Sequence, residues 1–250
     1  MSLHFALDNG IASRAALGLV VLQKDETLEP EIRSVISDDG VALYHTRIPS
    51  DDEITSDALQ AMAHELPRAL ALLPTTRPLD VVAFACTSAS TVIGQGKVAA
   101  IIQAIHPHAA TTDPITAVMA ACRKLHVRRI AMLTPYTAQV ATTMRSLLDT
   151  NGFEIAAFAS FNQSSDPTVA RITPGSVYEA ILEIGSAPDV EAVFASCTNL
   201  RTFSILDAAE AAIGKPVISS NAALAWHMRN KAGLEPLING PGRLLKCAAD

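Results

Sequence analysis

Two nine-residue stretches of this chain repeat each other, and together they restrict how it can fold. One is Asp80-Val81-Val82-Ala83-Phe84-Ala85-Cys86-Thr87-Ser88, the other Glu191-Ala192-Val193-Phe194-Ala195-Ser196-Cys197-Thr198-Asn199. Each starts on an acid six places before a cysteine, runs through small and apolar residues, and ends on Cys-Thr and a small polar residue. A short apolar run of this kind suits a parallel strand buried on both faces. In open α/β sheets ligands bind beyond the carboxyl ends of the strands, which is where both cysteines then stand.

The two cysteines are 111 positions apart (197 − 86). The apolar runs Leu17–Leu22 and Arg129–Thr134, which open the two halves, have about the same separation. An internal duplication explains the shared offset, and the period is too long for a solenoid. Further strands are predicted over 41–48, 109–113, 153–161 and 216–221. Helices are predicted after Thr27 (as cap) and over 56–73, 89–106, 116–126, 177–184, 202–213 and 222–231, with one more ending near Asp149. Alternating strands and helices imply an α/β fold. The expectation is two pseudo-symmetric lobes, each a short parallel sheet flanked by helices, with the active site in the cleft between them.

Of 250 residues, 49% are hydrophobic and 18% charged, enough apolar material for a sizeable core. The net charge of −6 comes without a basic stripe, which argues against nucleic acid as a partner. The N-terminus does not read as a signal peptide, and no run of 18 apolar residues predicts a membrane span. The four cysteines form no CxxC pair, so they are expected as reduced thiols in a cytoplasmic protein.

Cys122, in a helical stretch, and Cys247, near the terminus, read as small buried hydrophobes. Cys86 and Cys197 read as functional, because they coincide under the repeat at two strand ends. If each precedes a helix N-terminus, its pKa is expected to fall. Two thiols facing one carbon suit proton chemistry: a thiolate removes a proton or adds to the carbon, and a thiol on the other side delivers a proton. A disulfide between them is the weaker alternative.

Cys86-Thr87-Ser88 and Ser196-Cys197-Thr198-Asn199-Leu200-Arg201 resemble the two signatures of the aspartate/glutamate racemase superfamily. The second is closest to the branch of maleate cis-trans isomerases, arylmalonate decarboxylases and ectoine-utilisation relatives. The resemblance spans about residues 17–245. It implies that the C-terminal segment packs back on the first lobe, giving lobes of 1–113 plus 223–250 and 114–222. It implies Tyr136, after Pro135, and Asn162 as carboxylate ligands, with Thr87, Ser88, Thr198 and Asn199 as further donors. It also implies a homo-oligomer, a dimer. Decarboxylases of this branch keep only the second cysteine, so the presence of both argues against simple decarboxylation.

One position departs from the maleate isomerase pattern. Asp25 stands where that group has a carboxylate-binding asparagine after the first strand. An ionised aspartate there repels a second carboxylate and favours an ammonium, a hydroxyl or an amide N–H. Asp25 as a plain helix cap is the alternative.

Gly94-Gln95-Gly96-Lys97 lacks phosphate-loop spacing, and neither GxGxxG nor GxSxG is present. His106 and His108 have no partners at zinc spacing. With the resemblance, this implies no cofactor and no metal. The leading function is a racemase or cis-trans isomerase acting on a small carboxylate. A decarboxylase and a non-catalytic binding protein are the alternatives. The last predicts thiols that alkylate no faster than free cysteine.

Overall fold

The computed structural model describes residues 1–248. Strands β1 (Ala15–Leu22), β2 (Val41–Ile48), β3 (Val81–Ala85) and β4 (Ala110–Thr112) form one parallel sheet in the order β2-β1-β3-β4. Strands β5 (Arg129–Tyr136), β6 (Glu154–Gln163), β7 (Ala192–Ala195) and β8 (Val217–Ser219) form a second, in the order β6-β5-β7-β8. The equivalence extends to the cores. Phe84 of β3 pairs with Val20 and Phe194 of β7 with Met132, and both phenylalanines are fully buried. The central strands β1 and β3 are buried along their whole length, because helices cover both faces.

The helices are α1 (Leu28–Val35), α2 (Ser56–Leu70), α3 (Thr87–Ile93), α4 (Gln95–Ile105), α5 (Pro114–Lys124), α6 (Ala138–Thr150), α7 (Asp166–Val169), α8 (Pro174–Gly185), α9 (Leu206–Ile213) and α10 (Ser220–Lys231). Two of them cross between the sheets. The helix α5 follows β4 and packs on both α3 and β8, while α10 follows β8 and packs on β3, β4 and α1 as well as on β8; the two also pack on each other. This exchange brings the start of α10 between the two cysteine-bearing strand ends. Among the described residues no helix is long and apolar enough to cross a membrane.

Several local expectations change. The helix expected over 89–106 is two helices, broken at Gly94, whose φ of 92° no helix accommodates. The first of them starts at Thr87, directly behind Cys86. Thr27 precedes α1 but makes no side-chain cap. Asp25 does that work: its Oδ1 accepts the N–H groups of Thr27 and Leu28 at 2.9 and 2.8 Å. Asn221, expected to end a strand, lies in the first turn of α10.

Candidate active site

Cys86 follows the last residue of β3 and caps α3, its Sγ accepting the Ala89 N–H at 3.3 Å. Ser88 Oγ lies 3.6 Å from the same sulfur. Cys197 follows β7 after Ser196 and takes a φ of 143°, a strained value for a residue with a Cβ. Its N–H donates to Ser220 Oγ at 3.1 Å, and its Sγ accepts the Asn199 N–H at 3.3 Å. Ser220 Oγ also accepts the Thr87 hydroxyl at 2.8 Å. One serine at the start of α10 therefore ties together the turns that carry the two thiols.

Both cysteines line one small cavity, together with Ser88, Thr198, Tyr136 and Asp25. Leu22, Ile54, Leu59 and Met62 supply its apolar wall. Its volume of about 20 Å³ has room for little more than one water. The loop after β2 closes it. Ile54 N–H donates to Ser164 O at 2.8 Å, Asp166 N–H donates to Asp52 O at 2.9 Å, and Asp52 pairs with Lys24. A cavity of this size admits a carboxylic acid only if its walls move.

Burial controls the ionisation of the site. It pushes the Cys86 thiol up to about 12, and the N–H of Ala89 only partly opposes it. It pushes Cys197 well above the ordinary thiol value, helped by the charge of Asp166, while the Tyr136 hydroxyl bonded to the sulfur pulls the other way. Tyr136 is also raised, first by burial and then by the two cysteines. The expected lowering of the thiol pKa values is thus reversed in the closed site. A further reason is that Cys197 is followed by a turn rather than a helix: α9 begins only at Leu206.

Burial also raises Asp25, while the N–H groups at α1 and the nearby Thr198 hydroxyl favour its ionised form. Asp166 is raised to about 6 by burial, partly offset by Asn199, with the charge of Asp25 adding to the rise.

Six of the nine expected residues, Cys86, Cys197, Asp25, Ser88, Tyr136 and Thr198, line the cavity. Thr87 and Asn199 stand behind it. Asn199 accepts the Glu26 N–H at 3.0 Å through Oδ1 and donates to Asp166 Oδ1 at 3.3 Å through Nδ2. Asn162 is not brought in. It is exposed near the end of β6 with a φ of 50°, and Asp166 contributes to the cavity from the next segment instead.

No local sequence signal marks Asp166, Ser220 or the loop after β2 as part of the site. Ser165-Asp166-Pro167 is a recognisable helix start, with Ser165 as cap, but nothing local aims Asp166 at the cysteines. All four cysteines are free; Cys122 is fully buried and Cys247 partly so. No cluster of three or more His, Cys, Asp or Glu suited to a metal ion occurs among the described residues.

The chain is similar to the maleate isomerase of Nocardia farcinica, 25% identical over 92% of this chain and 95% of that protein. The solved maleate isomerase Iso from Pseudomonas putida S16 superposes with a TM-score of 0.86 at 22% identity, covering 93% of this chain and 98% of that one. The arylmalonate decarboxylase of Bordetella bronchiseptica is 28% identical over 49% of this chain and 51% of that protein. Residues 40–245 match the family model of arylmalonate decarboxylase. With that match across most of its length, the chain belongs to the arylmalonate decarboxylase family.

Proposed function

We propose that this protein is a cofactor-independent isomerase or racemase of a small carboxylic acid, with Cys86 and Cys197 acting on one carbon centre. The observation that carries the reading is the convergence of two thiols, from equivalent strand ends of duplicated sheets, on one small cavity. Burial raises the thiol pKa, so the thiol that reacts loses its proton while it is exposed to water. With an alkene conjugated to a carboxylate, the thiolate adds to one alkene carbon. The electron pair moves onto the carbon beside the carboxylate, the new single bond rotates, and thiolate departs to leave the other geometric isomer. With a stereocentre, one thiolate takes the α-proton and the opposite thiol returns a proton to the other face. Tyr136, Ser88 and Thr198 supply hydroxyls to the substrate carboxylate.

Maleate isomerases support the first form. The N. farcinica maleate cis-trans isomerase has been solved as a Cys→Ser mutant with a covalently bound succinylcysteine intermediate, at 23% identity and a TM-score of 0.85. The test is proton NMR in deuterated water across a panel of small carboxylic acids. Isomer interconversion or α-proton exchange with one of them is expected, and its absence across the panel rejects the proposal. Release of carbon dioxide from an aryl malonate without exchange of simpler acids establishes the decarboxylase reading instead, which the B. bronchiseptica relative favours.

We also propose the lobe division at 113/114 and 222/223, a homodimer and a cytoplasmic location. The crossing of α5 and α10 between the sheets supports the first, and sedimentation equilibrium tests the dimer.

A further inference from the structure

The cavity that holds the thiols has an unusual charge balance for a carboxylate site. Asp25, Asp51, Glu53 and Asp166 line it, and no lysine, arginine or histidine does. The nearby cations are engaged elsewhere. Arg47 donates to the carbonyls of Leu22 and Asp25 and to Glu29, while Lys24 pairs with Asp52.

Within this group Asp25 is distinctive. It is 2% exposed. Its Oδ1 is saturated by the two N–H groups of α1. Its Oδ2 is buried without a hydrogen-bond partner; the Thr198 hydroxyl eases its ionisation from beside it but does not meet hydrogen-bond geometry. A buried carboxylate oxygen without a partner is costly and calls for a donor. Because Oδ1 faces α1, Oδ2 is the oxygen left for the cavity that Asp25 lines.

We infer that the site selects a zwitterionic substrate, one carboxylate with a protonated amine, and that Asp25 Oδ2 receives the ammonium. This inference rests on the isomerase reading and narrows its substrate class. The ammonium supplies the missing donor and favours the ionised form of Asp25 against the burial that raises its pKa. A second substrate carboxylate in its place would meet Asp25 with no cation to balance it. A like-charge contact at about 4 Å in a protein interior lowers affinity by roughly two to three powers of ten. The substrate's own carboxylate goes to the hydroxyls of Tyr136, Ser88 and Thr198, neutral donors that suit a single negative charge.

The test is protection of Cys86 and Cys197 from iodoacetamide at mildly alkaline pH, below the range in which the probes' amines lose their protons, read cysteine by cysteine by mass spectrometry. It reports occupancy whether or not turnover occurs. The probes are 2-aminobutyrate, 2,4-diaminobutyrate, maleate and succinate, each against the wild type and Asp25→Asn. The substitution keeps an oxygen for the N–H groups of α1 and turns the cavity-facing atom into a donor.

In the wild type the amine-bearing probes are expected to protect at concentrations about 100-fold below those of maleate and succinate. Asp25→Asn is expected to reverse that order. Three outcomes overturn the inference: dicarboxylates protecting the wild type as well as the amines do, no protection by either amine, or a preference unchanged in Asp25→Asn. The wild-type ranking decides the matter by itself if the variant does not fold. Protection by the amines without proton exchange in deuterated water upholds the inference and rejects the isomerase reading.

Discussion

Ser220→Ala removes a buried side chain that ties the two thiol-bearing turns together. Ser220 is fully buried, and its Oγ accepts both the Thr87 hydroxyl at 2.8 Å and the Cys197 N–H at 3.1 Å. A hydroxyl can turn to another acceptor, but the backbone N–H of Cys197 cannot. Leaving one such donor buried and unpaired costs about 1–3 kcal/mol. Reorganising Thr87 brings the expected total to about 2–3 kcal/mol, or roughly 4–12 °C in Tm for a chain of this size.

Activity should fall further than stability. The bond to Ser220 helps to hold Cys197 at its strained φ of 143°. Relaxation of that residue moves its sulfur within the cavity, and small misplacements of a reacting group cost about 100-fold. Thermal unfolding followed by circular dichroism gives the stability change, and proton exchange at saturating substrate gives the rate. A double-mutant cycle with Thr87→Val separates the two bonds. A Ser220→Ala protein within about 0.5 kcal/mol of wild type and equally active refutes the reasoning.

Other outcomes follow from the same geometry. Cys86 and Cys197 of the unliganded protein should alkylate about 10²–10³-fold more slowly than free cysteine near neutral pH, since burial pushes Cys86 up to about 12. The rate should climb about tenfold per pH unit; a flat profile contradicts the burial argument. Slow labelling therefore no longer separates an enzyme from a binding protein, and turnover has to do so.

Asp38→Asn should cost about 1.5–3 kcal/mol at neutral pH, because both oxygens of Asp38 accept from Arg229, which is almost fully buried. The Arg229 hydrogen bonds depress the Asp38 pKa, so its contribution exists above the unfolded value and is lost as pH falls through the folded one. The gap between wild type and variant in urea denaturation should close below about pH 4. Gly185→Ala should destabilise by about 1–2 kcal/mol, because the new Cβ would stand 2.8 Å from Val193 Cγ2 and 2.9 Å from Ile213 Cδ1; a rise in Tm contradicts it.

The strands and the paired cysteines were legible because both are written locally. Val81–Ala85 and Ala192–Ala195 are short apolar runs, and the repeat offset by itself pairs their ends. What remained hidden depends on long-range packing. Asp166 reaches the cavity only because the segment after β6 meets the loop after β2, a contact 112 residues apart between Glu53 and Ser165 (165 − 53). Asn162 was expected beside the substrate, but the end of β6 turns it outward. Ser220 matters through the crossing of α10 onto the first sheet, which no local pattern announces.

The thiol pKa values show two effects in competition. A helix start does follow Cys86 and lowers its pKa, but complete burial outweighs it. The helix start is written in the local sequence; the extent of desolvation is not. At Asp25 the local reading and the structure meet: the residue caps α1 with one oxygen and keeps the other for the cavity.

The central claim is that two thiols, one from each half of the duplicated chain, act together on one carbon centre. Cys86→Ser and Cys197→Ser, assayed separately by proton NMR in deuterated water on an acid the wild type turns over, test it most directly. Each variant should fold with a Tm within a few degrees of wild type and lose isomer interconversion by at least about 10³-fold. Interconversion within about tenfold of wild type in either variant would contradict the two-thiol mechanism.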